Sequence, residues 1–134
     1  MLMIDTNVAV SLWIDNDWTA SARRLLAHDP DWRTEPYALI EFSNVMTTYV
    51  RTRRASARQA ERCLAEAEQL LAPGLQPVAH RSALQTAVKF SVSAYDARFL
   101  AAARELGVKL VTEDAKLRRA APVWTQSIEQ ALSV

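Results

Sequence analysis

The sequence predicts an α/β fold: helices packed around a mostly parallel sheet. Three observations lead there. Short apolar, strand-like runs alternate with amphipathic helical stretches along the whole chain. Breaker residues punctuate the boundaries between them. An acidic group follows closely on each of two buried-looking strands, one near each terminus: Leu2-Met3-Ile4 runs into Asp5, and Val108-Lys109-Leu110-Val111 runs into Thr112-Glu113-Asp114.

The first strand is expected over Leu2 to Asp5, with helical character from Asn7 to Ile14. A second helix, about Trp18 to Ala27, sets Trp18, Ala22, Leu25 and Leu26 on one face before Asp29-Pro30-Asp31 breaks it. Trp32 to Thr34 reads as extended. Pro36 suits the first turn of the helix that follows, whose apolar arc carries Leu39, Phe42, Met46, Tyr49 and Val50.

After the basic connection Arg51-Thr52-Arg53-Arg54, a helix is expected over about Ser56 to Leu71, with Ala60, Cys63, Leu64, Ala67, Leu70 and Leu71 at helical spacing, ended by Pro73-Gly74. Pro77-Val78-Ala79 is expected as a brief strand. Helices follow over Ser82 to Phe90 and Ala94 to Leu106, the latter closed by Gly107. Val108 to Thr112 is the second clear strand. A helical turn near Ala115 to Ala120, a last strand at Val123 to Thr125 and a last helix at Ser127 to Leu132 complete the chain.

The 134 residues suffice for one domain, 1–134, with a hydrophobic core. A net charge of +1 excludes a global polyelectrolyte field, so any nucleic-acid contact needs a local patch. A single cysteine, Cys63, rules out an internal disulfide and fits a reducing compartment. Asp5 and Asp15 interrupt any leader-like stretch, and no apolar run nears the roughly 18 residues of a membrane span. A soluble, cytoplasmic protein without membrane contact is expected. With only Gly74 and Gly107 there is no phosphate-cradling loop or dinucleotide fingerprint. A nucleophile elbow and a Cys/His cluster are lacking too.

In a parallel sheet the strands end on one edge, and ligands bind there. Asp5 and Asp114 emerge at that edge. Asp96 opens the helix that returns the chain to the 108–112 strand, and Glu41 lies in the first turns of the helix after the 32–34 strand, so both belong to the same edge. Two unit charges about 4 Å apart repel by about 4 kcal/mol at an effective dielectric near 20. An all-carboxylate site without His or Cys suits Mg²⁺ or Mn²⁺, whose usual chemistry is metal-assisted attack of water on a phosphodiester. Taken singly the acids have structural readings as well: Asp96 as a helix-capping acid after Ser93, Asp114 as a turn opener, Glu41 as a solvated helix residue.

Four stretches together resemble the PIN-domain ribonucleases, in particular the VapC-like toxins of bacterial toxin–antitoxin pairs. They are Asp5-Thr6-Asn7; Glu41 with Asn44-Val45-Met46; Ser93-Ala94-Tyr95-Asp96-Ala97 with Phe99-Leu100-Ala101; and Leu110 to Asp114 with Leu117. The resemblance implies a three-layer α/β/α sandwich, often dimeric, in which Asp5, Glu41, Asp96 and Asp114 bind one or two Mg²⁺ or Mn²⁺ ions. Thr6, Asn7 and Thr112 would be supporting polar groups. It implies endonucleolytic hydrolysis of RNA that leaves a 5′-phosphate and a 3′-hydroxyl. A cognate antitoxin protein is implied as partner, with DNA contacted only through it. Many members carry a further acid where this chain has Lys116, which bears on a second metal. Two other roles stay open: a PIN nuclease of RNA processing or DNA metabolism, and a catalytically silent protein-binding module. Arg51, Arg53 and Arg54 are candidate RNA-backbone contacts, against an ordinary solvated connection. The four tryptophans, Trp13, Trp18, Trp32 and Trp124, read as packing residues rather than stacking platforms.

Overall fold

A computed structural model describes residues 1–133. Four short strands form one sheet: β1 (Leu2–Ile4), β2 (Trp32–Arg33), β3 (Leu110–Val111) and β4 (Thr125–Gln126), in the order β2-β1-β3-β4. Every pairing is parallel, with Leu2 opposite Trp32, Ile4 opposite Val111 and Leu110 opposite Thr125. Strand residues alternate between faces. Met3 and Leu110 enter one core with Phe99, Ala102, Ala103 and Leu117, while Ile4 and Val111 enter another with Val8, Leu25, Leu71 and Ile128. The result is the expected α/β/α sandwich.

The first core is covered by α5 (His80–Phe90), α6 (Ala94–Leu106) and α7 (Ala115–Ala120). The second is covered by α1 (Thr6–Val10), α2 (Thr19–His28) and α8 (Ile128–Leu132). A third apolar cluster joins α3 (Tyr37–Arg51) to α4 (Ala57–Leu71) through Phe42, Met46, Ala60 and Ala67, with Trp13 set edge-on to Phe42 at 5.5 Å. Ser56 and Gln59 form a capping box at the start of α4, and Gly107 closes α6 in the left-handed region at φ 68°.

Some local expectations fail for identifiable reasons. Pro77-Val78-Ala79 is not a strand, because side chains occupy its backbone groups. The Val78 N–H points to the Glu35 carboxylate at 3.4 Å, and the Val78 carbonyl accepts from Arg98 at 3.0 Å. The last strand begins at Thr125 rather than Val123, since Pro122–Trp124 forms a 3₁₀ turn. The first helix ends at Val10, and turns continue the chain to Ile14. The third strand shrinks to Leu110–Val111.

The edge of β2 is covered. Thr34 donates to the Gly74 carbonyl at 3.1 Å and accepts from Gln76 N–H at 2.7 Å, forming a parallel bridge with Leu75. Only glycine allows that approach, because a Cβ on Gly74 would stand 2.0 Å from the Trp32 carbonyl oxygen.

Candidate active site

The strand order reverses between β1 and β3: the chain leaves β1 toward β2, and from β3 it moves the other way to β4. Such a switch point opens a crevice at the carboxyl ends of the two central strands. Asp5 directly follows β1, and its N–H donates to the Val111 carbonyl at 2.9 Å. Thr112 directly follows β3 and is fully buried. A cavity of about 340 Å³ lies there, lined by Asp5, Glu41, Asp96 and Asp114 together with Thr6 and Asn7. The structure therefore brings all four sequence-selected acids to one place, from four separate segments.

Each acid is positioned by local backbone chemistry. Asp5 caps α1, its Oδ1 accepting the Thr6 N–H at 2.8 Å. Its Oδ2 accepts the Thr112 hydroxyl at 2.7 Å and the Asn7 side-chain amide at 3.3 Å. The Thr6 hydroxyl donates to Glu41 Oε1 at 2.6 Å, tying α1 to α3. Asp114 caps α7, where its Oδ1 accepts the Lys116 and Leu117 N–H groups at 3.0 and 3.1 Å. Ser93 caps α6 by accepting the Asp96 N–H at 3.0 Å, so the first turn that displays Asp96 is fixed.

Thr112 and Asn7 join the two strand ends. Thr112 Oγ1 accepts from Asn7 Nδ2 at 3.2 Å and from the Asp114 N–H at 3.1 Å, while Asn7 Oδ1 accepts the Glu113 N–H at 3.2 Å. Glu113 itself turns away. It caps α8 by accepting the Ile128 N–H at 3.0 Å and pairs with Arg118 at 3.7 Å.

The charges are held under strain. Burial pushes the Asp5 carboxyl up from 3.8 to about 7, against the hydrogen bonds from Thr112 and Thr6, and the Glu41 and Asp96 charges push it further. Burial also raises Glu41, opposed by Thr6 and reinforced by Asp96. Asp96 is raised by burial and by Asp114, with Ser93 and the exposed Lys116 acting the other way. Among the described residues no Lys, Arg or His lines the cavity.

This donor set, all hard oxygen with excess negative charge, fits Mg²⁺ or Mn²⁺. Among the described residues no three acidic, His or Cys side chains are posed to grip one ion directly. The carboxylates share a cavity without meeting at a point. Mg²⁺ commonly keeps several waters and takes only one or two carboxylates, so the two observations are compatible.

Arg51, Arg53 and Arg54 are exposed but do not line the cavity. Arg51 follows Glu41 by ten residues on α3, about 15 Å along the helix. Arg54 lies over the Tyr49 ring at 4.7 Å and borders a larger hollow, about 520 Å³, that contains none of the four acids. Sequence reasoning missed Val10, Asn16 and Trp18, which also line the acidic cavity. It also missed an ion pair between the buried Glu35 and the half-buried Arg98, 3.0 Å apart, that ties the start of α3 to α6.

The PIN domain family matches residues 2–122. The chain belongs to the PIN domain family. Such domains are in general nucleases and typically use divalent metal ions. Among solved structures, the chain is similar to PAE2754 from Pyrobaculum aerophilum, with a TM-score of 0.73 and 20% identity over 97% of this chain and 92% of that one. At that identity the likeness concerns the fold. No curated protein matches the sequence. No helix among the described residues of this PIN domain is long and apolar enough to cross a membrane.

Proposed function

We propose that this PIN domain is a metal-dependent endoribonuclease acting as the VapC-like toxin of a toxin–antitoxin pair. The observation that carries the reading is the cavity at the sheet's switch point, lined by four carboxylates and, among the described residues, by no cationic side chain. In this role Asp5 and Asp96 would hold Mg²⁺ or Mn²⁺, and Glu41 and Asp114 would complete the site directly or through water. A bound ion of that kind supplies Lewis acidity toward a phosphodiester and favours deprotonation of water.

The protein's own contribution is orientation. Thr6 fixes one oxygen of Glu41, and the α7 amides fix one oxygen of Asp114. Glu41 Oε2 and Asp114 Oδ2 have no hydrogen bond within the protein among the described residues, so each can face a ligand. Thr112 and Asn7 hold Oδ2 of Asp5 and the Thr6 amide holds Oδ1, which fixes the carboxylate while a second lone pair of Oδ1 stays open. Arg51, Arg53 and Arg54 would touch the RNA backbone only where a strand extends well past the cavity. The cognate antitoxin, a homodimer and DNA contact through the antitoxin belong to the same reading.

The test compares wild type with Asp96→Asn, which keeps shape and removes charge, on RNA with Mg²⁺ or Mn²⁺ and again with EDTA. Cleavage by wild type alone, abolished by EDTA, is expected. Equal cutting by both proteins overturns the site assignment. Induced expression should arrest growth for wild type only. Cleavage without arrest would keep the nuclease and transfer its role to RNA processing or DNA metabolism.

A further inference from the structure

Trp18 does not behave as the other tryptophans do. Trp32 is buried in the core, Trp13 packs on Phe42, and Trp124 lies under the Arg104 guanidinium at 5.7 Å. Trp18 is 42% exposed and lines the acidic cavity. Among the described residues it meets no aromatic or cationic partner of that kind.

Its backbone is nevertheless firmly held. Asn16 Oδ1 accepts the Trp18 N–H at 2.8 Å, and the Asn16 N–H donates to Thr19 Oγ1 at 3.0 Å. Thr19 Oγ1 donates to the Ile14 carbonyl at 3.2 Å, and Asn16 Nδ2 donates to Ser11 Oγ at 3.3 Å. Ser11 Oγ in turn donates to the carbonyl of Asn7, a residue of the acidic site. A chain of hydrogen bonds thus anchors the backbone that sets a large apolar ring on the wall of a cavity whose other groups are mostly acidic or polar. Packing does not require a ring there, and an acidic cavity does not attract one.

Resting on the nuclease reading above, we propose that Trp18 is a stacking platform for one unpaired nucleobase of the RNA beside the scissile phosphate. A nucleobase has a π-face whatever its identity, so the platform selects single-stranded over paired substrate rather than a particular sequence. A base inside a duplex is already stacked and cannot lie on the indole without leaving its partner. Trp18 is a binding and positioning residue in this account, and the acids remain the groups that act on the phosphate.

The test measures binding of short single-stranded RNA oligomers to the Asp96→Asn protein in Mg²⁺, with each base in turn replaced by an abasic site. Removing one base is expected to weaken binding roughly 5- to 150-fold. Adding Trp18→Ala should weaken the intact oligomer by a similar factor and abolish the effect of that one abasic position. Trp18→Phe should retain most of it. RNA should also quench indole fluorescence in the parent, and the quenching should vanish in Trp18→Phe.

Identical abasic scans with and without Trp18, or a uniform loss across all positions, would overturn the platform and leave the nuclease reading standing. Absence of RNA binding by the parent together with absence of cleavage by wild type would remove both.

Discussion

Asp5→Asn should change the slope of stability against pH as well as its value. The carboxyl is buried, and its pKa rises from 3.8 to about 7 on folding. Between those values the folded protein holds a proton that the unfolded chain has lost. Stability therefore falls as pH rises through this window and levels off above about 7. A little over three pH units at about 1.36 kcal/mol each amounts to about 4 kcal/mol. Asparagine can still accept the Thr6 N–H or the Thr112 hydroxyl but carries no charge. Glu41 and Asp96 are also raised, so a shallower slope should survive in the variant. Urea unfolding of metal-free protein from pH 4 to pH 8 reads the difference directly. The variant should gain on wild type by about 4 kcal/mol across that range, becoming the more stable of the two near neutrality. Parallel curves for the two proteins would refute the account of Asp5 as a strained buried carboxylate.

Adding Mg²⁺ or Mn²⁺ should reverse much of that pH loss in wild type, since an ion bound only by the folded state at a hundred times its Kd adds about 2.7 kcal/mol. Asp5→Asn should show a much smaller rise in Tm with the ion, and an equal rise would place the metal elsewhere. Thr112→Val keeps the shape but removes the donor to Asp5 and the acceptor for the Asp114 N–H. A loss of about 1–3 kcal/mol in urea unfolding is expected, with reduced RNA cleavage. Arg98→Met strands the buried Glu35 carboxylate and should cost about 3–5 kcal/mol, and Glu35→Gln in the same chain should restore part of it. If Arg98→Met unfolds at the same urea concentration as wild type, the ion pair is structurally idle.

The acids were legible because their positions follow from chain direction alone. Asp5 and Asp114 come just after strands, Glu41 and Asp96 near helix starts, and a parallel sheet sends all of these to one edge. Thr112 could be placed by the same logic, though its three hydrogen bonds could not. What stayed hidden depends on contacts between distant segments. Glu35 and Arg98 stand 63 positions apart, and nothing local marks them as partners or Glu35 as buried. Val78 lies in a plausible strand until those two side chains claim its N–H and carbonyl. Trp18 looked like part of the apolar face of α2, since periodicity ranks residues by hydrophobicity. The Asn16 turn that sets it beside the acids leaves no periodic trace.

The segment drawn against β2 bears on how this domain can associate. A sheet grows between molecules when an edge strand offers a row of free N–H and carbonyl groups. On the β2 side Thr34 pairs with the Gly74–Gln76 stretch, whose approach depends on a missing side chain. The opposite edge, β4, is two residues long among the described residues, a poor template for a visiting strand. Both edges are thereby poor templates for strand exchange and edge-to-edge aggregation. Replacing Gly74 with a larger residue would push that segment off the edge and open the route to fibrous or amorphous association.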